Sequence, residues 1–271
     1  MITFVLQTVN NKVVHDFVFE LERAIEYQKL RGNEFDSCYS SIENLISLNI
    51  ENIELKNIVP VGTVEFVLKF CEIFLNKKVS SIIKPINVPQ KLFHHSGSYR
   101  NIQNITLTEE SRNKLFDEYK FYDLCFVKSN EQIKSKVNGK YNVNDLLNCN
   151  KIPDGDYQIS NYIYDIESEY RCFIYKDELL GIQWYSGDYT IFPDINRIKT
   201  MIKDYRWDYG YGNGAPQAYT LDVGITDEET FVIECHDFFS CGLYGFCDYE
   251  KLPFMFIKAF NNIRNNLLKY E

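Results

Sequence analysis

The spacing of apolar residues in the first third of the chain is typical of alternating strands and helices. Short apolar runs, typical of strands, occur at the N-terminal end of the chain and just before Gly62. The segments between and after them carry apolar residues at helical spacing. We predict a strand at 1–8, a strand or turn at 58–61, and helices within 20–31, over 40–49 and after Gly62. The pattern predicts a small α/β domain over residues 1–100, ending in a linker rich in proline and polar residues.

Beyond about Tyr122 the pattern changes to strands in an antiparallel arrangement. A polar loop is expected over 130–141, and the sequence KDEL, residues 176–179, indicates a hairpin turn. Strands are predicted over 122–129, 156–163, 169–186 around that turn, 218–225 and 229–237, and helices over 192–205 and 254–270. Together these elements predict an α+β domain over residues 101–271.

Composition and charge narrow the class of protein. Of the 271 residues, 45% are hydrophobic and 15% aromatic, so a sizeable core is expected and long disordered spans are not. The net charge of −9 disfavours broad binding to nucleic acid. The N-terminal residues are too polar for a signal peptide, and no apolar run has membrane-spanning length. With eight scattered cysteines, this composition predicts a cytoplasmic protein without membrane contact.

A pair of carboxylates is the first candidate for chemistry. Strand alternation places Asp222 on one face of AYTLDVGI and Glu234 on one face of TFVIECH, and a short connection joins the strands. A three-residue loop would set the carboxylates opposite each other, whereas a two-residue loop would pair Asp222 with Ile233. Facing carboxylates repel unless a cation lies between them, and their oxygens suit Mg²⁺. The alternative is that both face solvent on an amphipathic hairpin.

Zinc is a second interpretation of the same region. Cys235, His236, Cys241 and Cys247 are zinc-type ligands, but they lack the closely spaced cysteine pair that structural zinc sites use. Zinc is therefore the minor alternative, and His236 is a candidate ligand in both interpretations.

Basic residues earlier in the chain are candidates for phosphate binding. Arg171 lies in an apolar strand, where its guanidinium needs an anionic partner, either a carboxylate such as Glu169 or a phosphate. Lys128 ends the strand YDLCFVKS, and Lys134 and Lys136 follow in the polar loop. Ammonium groups on a glycine-containing loop suit a polyphosphate, although a solvated loop is the simpler interpretation and no Walker sequence occurs.

The order of these features resembles the ATP-grasp ligases, most closely the arginine-and-lysine-rich clade common in bacteriophages and bacteria. The resemblance rests on EYRCFI, YTLDVGI, VIECHDFFSCGLYGF and VPVGTVEFV, and extends in patches over residues 60–246. It implies an ATP-grasp fold preceded by a small α/β domain, with ATP and Mg²⁺ as cofactors. It also implies a carboxylate–amine ligase that forms an amide through an acyl phosphate.

The resemblance assigns nucleotide contacts to residues of this chain. Lys128 with Lys134 or Lys136 would contact the ATP phosphates, and Arg171 would steady the transferred γ-phosphate. A hinge that grips adenine, largely through backbone groups, would consist of Gln158, Ile159 and Ser160.

The resemblance also assigns the metal site. Asp222 and Glu234 would hold Mg²⁺, and His236 stands where the family usually has asparagine, so its part in metal binding is open. The carboxylate and amine substrates stay unknown. A kinase with the same fold and a catalytically reduced nucleotide-binding protein are the alternatives.

Overall fold

The computed structural model describes residues 1–50, 53–76, 94–95, 98–99, 102–130, 137–206, 215–227 and 229–268. Lys134, Lys136 and most of the predicted linker, 82–101, lie outside the described residues. Within the described part of the chain, no helix is long and apolar enough to cross a lipid bilayer.

A parallel sheet of three strands forms the N-terminal part. The strands β1 (Ile2–Gln7), β2 (Phe35–Ser40) and β3 (Ile58–Val61) lie in the order β2-β1-β3. Because parallel neighbours need a crossover, α1 (Asp16–Leu30) connects β1 to β2, and α2 (Val64–Phe74) follows β3. This arrangement is the α/β alternation that the sequence predicts.

A close backbone approach sets the beginning of α2. Gly62 follows β3, and a Cβ at this position would lie 2.5 Å from Oε1 of Gln7. Thr63 N donates to the same oxygen at 2.6 Å, and Thr63 Oγ1 accepts from Phe66 N at 3.3 Å as the helix N-cap. Only glycine fits where β3 turns into α2 without displacing Gln7.

The helix predicted over 40–49 is wrong, because only a 3₁₀ turn, Leu45–Ser47, forms there. Leu45 is buried, but Ile46 is 79% exposed and the backbone of Leu48 is already extended. Leu45, Ile42 and Leu48 pack against the N-terminal core without forming a helix, so apolar spacing alone does not decide the backbone conformation of this segment.

Four antiparallel strands form the second sheet, which follows the short pair β4 (His94–His95) and β5 (Ser98–Tyr99). Between its first two strands lies α3 (Glu109–Tyr119), which begins with a capping box. A strand, Asn138–Asn142, occupies part of the segment predicted as a polar loop, which is a correction to that prediction. In the spatial order β6-β9-β7-β8, the strands are β6 (Ile102–Leu107), β9 (Gly155–Asn161), β7 (Leu124–Ser129) and β8 (Asn138–Asn142).

The third sheet is also antiparallel and has four strands. The turn of its first hairpin, Lys176–Asp177, has φ angles of 50° and 67°, which matches a two-residue type I′ connection at the KDEL sequence. The helices α4 (Ile195–Arg206) and α5 (Leu252–Leu268) accompany this sheet. In the spatial order β11-β10-β12-β13, the strands are β10 (Ser168–Tyr175), β11 (Glu178–Gly187), β12 (Ala218–Ile225) and β13 (Thr230–Asp237).

The two faces of the third sheet belong to different cores. Cys172 and Ile174 of β10 face α4, whereas Phe173 faces the core that the N-terminal sheet shares with α5. The C-terminal helix therefore packs with the first 76 residues, although it ends the chain. The division of the chain into two domains at residue 100 stays a prediction.

Candidate active site

Side chains of the second and third sheets meet at one point. Lys128, near the end of β7, donates from Nζ to Oε2 of Glu234 in β13. Asp222 pairs with Glu234 across the β12–β13 hairpin, and His236 follows two residues later. Ligand atoms of Asp222, Glu234 and His236 lie within 4.8 Å of one another, and we call these three residues the carboxylate–imidazole cluster.

A β-bulge creates the pairing of the two carboxylates. At the turn, Ile225 pairs with Thr230, which is the register that would place Asp222 opposite Ile233. A register shift lies between Asp222 and Val223, so Ile233 is the extra residue and Asp222 pairs with Glu234. The turn therefore has the register of the two-residue loop considered from the sequence. The bulge nevertheless places the two carboxylates opposite each other, as the three-residue loop would have done.

Arg171 forms a buried, two-pronged ion pair with Asp222. Its Nε and Nη2 donate to the two carboxylate oxygens at 2.8 and 2.7 Å, and the side chains are only 10% and 2% exposed. Burial alone would lower the pKa of the guanidinium, but the hydrogen bonds and charge of Asp222 outweigh it and raise that pKa. The anionic partner of Arg171 is therefore Asp222 and not Glu169.

The imidazole of His236 lies beside Glu234. Its Nε2 lies 2.5 Å from Oε1 of Glu234, and its side chain is 36% exposed. Loss of hydration, with the charge of Lys128 nearby, lowers the pKa of His236 to about 4. Because a carboxylate only accepts hydrogen bonds, Nε2 is the donor in this contact.

Two tyrosines cover the guanidinium of Arg171. Its Cζ lies 5.2 Å from the ring centroid of Tyr244 and 5.9 Å from that of Tyr185, and the two rings stack. Tyr185 Oη donates to Glu169 Oε2 at 2.8 Å. Burial, followed by the charges of Asp222 and Glu169, raises the pKa of Tyr185, so its hydroxyl stays protonated as a donor.

Asp16 of α1 reaches the loop that carries Tyr244. Its Oδ2 accepts from Leu243 N at 2.7 Å and from Tyr244 N at 3.3 Å. On the other side of the loop, the carbonyl oxygen of Gly242 accepts from Arg171 Nη1 at 3.2 Å. The loop is thus fixed between the N-terminal helix and the ion pair.

Comparison with known proteins identifies the family. The family model for an ATP-grasp domain, family 2 of the arginine-and-lysine clade, matches residues 100–252, which is more than half of the chain. The chain belongs to this ATP-grasp family. Among solved structures it is similar to D-alanine–D-alanine ligase from Bacillus anthracis, with 14% identity, a TM-score of 0.52, and coverage of 97% of this chain and 98% of that one. It is also similar to the D-cycloserine synthetase DcsG, with 10% identity, a TM-score of 0.54, and coverage of 96% and 99%.

The ATP-grasp fold is therefore confirmed, together with the predicted α+β class. At such low identities the two structures share the fold of this chain and do not assign its substrates. The residue roles have to be argued from the chain's own geometry.

The predicted adenine hinge of this ATP-grasp protein lies inside a paired strand. Gln158, Ile159 and Ser160 belong to β9, which pairs with β6 on one side and β7 on the other. Their backbone groups take part in the two ladders, and their role in holding adenine stays a prediction. The connection between the second and third sheets is the segment 162–167, and Lys140 Nζ lies 5.3 Å from the ring of Tyr162 at its beginning.

The cysteines do not join the cluster. Cys235 and Cys241 are buried, and burial raises the pKa of Cys241 to about 12 and that of Cys235 well above its ordinary value. Over the described residues, the carboxylate–imidazole cluster is the one group of three or more metal-type side chains. The zinc alternative built on Cys235, Cys241 and Cys247 therefore finds no support in the geometry.

A divalent cation fits the two carboxylates of the cluster, whose oxygens are hard donors of the kind that Mg²⁺ takes. The third donor is an imidazole nitrogen, which suits first-row transition metals better than Mg²⁺. Thr220 pairs with His236 across the strands, and its buried hydroxyl has no hydrogen-bond partner among the described residues. The donor set thus fits a divalent cation but departs from an all-oxygen site.

Sequence analysis did not identify several residues that lie around the site. Asp16 gives no signal beyond its place at the beginning of a helix, and its contact lies more than 200 residues away. Tyr244 has a φ angle of +49°, and Gly245 follows with +93°, so the sequence LYG could have indicated an irregular loop at the site. Tyr185 is a half-buried tyrosine on a strand, and the neighbouring sequence gives no sign that it lies at the site.

Proposed function

We propose that this protein is a ligase that uses ATP and a divalent cation to join a carboxylate to an amine. The observation that carries the proposal is the meeting of Lys128, Arg171 and the carboxylate–imidazole cluster between two sheets of an ATP-grasp protein. Phosphoryl transfer from ATP needs converging cations together with carboxylates that hold a divalent ion, and this place offers both.

Lys128 is the residue that would change partner when the nucleotide binds. Its ammonium is paired with Glu234 of the other sheet. In this proposal Glu234 would hold the cation and Lys128 would contact a phosphate oxygen. Lys134 and Lys136, which follow β7 in the sequence, would add further phosphate contacts, and the segment 162–167 would lie against the adenine ring.

Arg171 holds Asp222 in place and adds positive charge beside the transferred phosphoryl group. Because both carboxylate oxygens of Asp222 accept from the guanidinium, the carboxylate cannot rotate freely and presents its remaining lone pairs to the site. Such preorganised charge lowers the barrier because no reorientation is needed during the reaction.

The proposed reaction has two steps. An oxygen of the substrate carboxylate attacks the γ-phosphorus, the bond to the β-phosphate breaks, and ADP leaves, so that an acyl phosphate forms. A neutral amine then attacks the acyl carbon, the C–N bond forms, and phosphate leaves with the acyl C–O electron pair. The amine gives up one proton, which phosphate or water takes. A divalent cation held by the cluster would neutralise phosphate charge, Lys128 would orient phosphate oxygens, and Arg171 would hold Asp222 in place.

Nucleotide binding can be tested by thermal unfolding with ATP and Mg²⁺ or Mn²⁺. A ligand at 100 times its Kd stabilises the native state by about 2.7 kcal/mol. We expect a clear rise in Tm for the wild type and a much smaller one for Lys128→Met. The matched control is Lys151→Met, because Lys151 is an exposed lysine paired with Asp145, outside the site. No rise in the wild type would refute the proposal.

The acceptor decides between a ligase and a kinase. ADP release is measured with a panel of amino acids and peptides, each alone and with added amines. Release that depends on a carboxylate and an amine together supports the ligase. Release that depends on a hydroxyl compound alone supports a kinase, and ATP binding without release under any condition supports a catalytically reduced nucleotide-binding protein.

A further inference from the structure

We infer that the divalent cation of this site is bound through an imidazole nitrogen of His236, and that the site accordingly favours Mn²⁺ and similar first-row transition metals over Mg²⁺. The inference rests on the proposed function, because it concerns the cation that would accompany the nucleotide. It assigns a different cofactor class from the Mg²⁺ that the resemblance implies.

The imidazole of His236 lies close enough to both carboxylates to bind the same ion. His236 shares a strand with Glu234, two residues away, so both side chains leave the same face of β13. One ligand atom from each of Asp222, Glu234 and His236 fits within 4.8 Å, a spacing that a single ion can bridge. A histidine that merely supported Glu234 from outside would not need to approach Asp222 as well.

The charges around the cluster leave room for one divalent cation. Asp222 is neutralised by Arg171, and Glu234 is neutralised by Lys128, which belongs to the other sheet. Release of Lys128 to a phosphate would leave the charge of Glu234 without a partner. A cation that takes Glu234 and the ring together would replace Lys128 as the neutralising charge.

The ring nitrogen that faces the carboxylates is Nε2, which lies 2.5 Å from Oε1 of Glu234. An imidazole binds a cation through the lone pair of one nitrogen while the other nitrogen carries the proton, so Nε2 would be the ligand atom with the proton on Nδ1. Mg²⁺ gains little from such a nitrogen because it prefers oxygen and keeps its waters, whereas Mn²⁺ and Co²⁺ accept imidazole readily.

The test compares metal binding to the full-length wild type and His236→Asn, which restores an amide oxygen. Kd values for Mn²⁺ and Mg²⁺ are measured by titration calorimetry with ADP present, and pulsed EPR of the Mn²⁺ complex reports directly bound nitrogen. We expect a ¹⁴N signal in the wild type that is lost in His236→Asn. We also expect the ratio of Mg²⁺ Kd to Mn²⁺ Kd to fall by about tenfold or more in the variant.

His15→Asn is the matched control, because His15 precedes α1 and lies outside the cluster. It should keep the wild-type ratio and the ¹⁴N signal, and metal-free thermal melting verifies that both variants fold. Metal binding without a ¹⁴N signal, or with the same ratio in the wild type and His236→Asn, overturns the inference but leaves the proposed function standing. Failure of the wild type to bind either metal with ADP overturns both.

Discussion

Removal of the Arg171 side chain should cost a large part of the free energy that keeps this protein folded. The substitution Arg171→Met keeps a side chain of similar length in the β10 position but removes the only cation that contacts both oxygens of Asp222 among the described residues. Asp222 is 2% exposed, so water cannot replace the lost donors without opening the sheet. A carboxylate would then be buried without a partner.

The magnitude follows from the burial of the pair. Breaking a buried ion pair by removing one partner costs about 3–5 kcal/mol, which is large against a typical total stability of about 5–15 kcal/mol. Replacing both partners by apolar residues is much less damaging, because no charge is left stranded. We therefore expect Arg171→Met and Asp222→Leu to be severely destabilising singly, and the double variant to lose far less than their sum.

The assay is urea unfolding followed by circular dichroism, arranged as a double-mutant cycle. Asp154→Asn is the matched control, because Asp154 pairs with the buried Arg112 but is itself 60% exposed. Arg112 also keeps backbone carbonyl partners, so this control should lose only about 0–1 kcal/mol. Additive effects of the Arg171 and Asp222 substitutions would refute the argument, since they would mean that the pair is not coupled.

Three further predictions concern titration, a close backbone approach and a loop contact. Burial is the chief cause that lowers the pKa of His236 to about 4 and raises that of Asp237 to about 6. In metal-free protein a fall in pH therefore reduces the stability through His236 and increases it through Asp237. In urea unfolding, Asp237→Asn should lose stability as the pH falls from about 6.5 towards 4. His236→Asn should lose stability as the pH rises from about 4 to 6. Identical pH profiles of the two variants would contradict this prediction. Gly62→Ala should cost about 1–3 kcal/mol in the same assay because its Cβ would meet Gln7, and an unchanged midpoint would disprove the close approach. Asp16→Ala should lose about 1–3 kcal/mol through stranded backbone donors, and its Tm should fall whether or not nucleotide is present.

Local pattern was sufficient for most strands and for the hairpins. Alternation of apolar residues over a few positions predicts β7, β9, β12 and β13, because each strand must bury one face or both. The KDEL turn is equally local, since two residues with positive φ close the hairpin. The helix over 40–49 failed because the apolar residues of this segment reach the N-terminal core from a 3₁₀ turn and extended backbone, which their spacing does not distinguish from a helix.

Site residues could be predicted by type but not by partner. Arg171 was expected to need an anion, and its partner is Asp222 because β10 and β12 are neighbours in the sheet, with these two residues paired. The hinge prediction depends on sheet pairing in a similar way. The backbone groups of a strand such as β9 can bind a ligand only if one of its edges has no neighbouring strand. The residues of the strand itself do not reveal its position within the sheet.

By itself the sequence determined the class of the fold, the positions of most elements and the residue types that could hold phosphate and a cation. Only the tertiary structure decided that a bulge at Ile233 turns Glu234 towards Asp222, and that Lys128 reaches Glu234 from another sheet. The physical reason is range. Strand alternation depends on neighbours a few residues apart, whereas the cluster depends on register and sheet packing between segments about 100 residues apart, which no local pattern encodes.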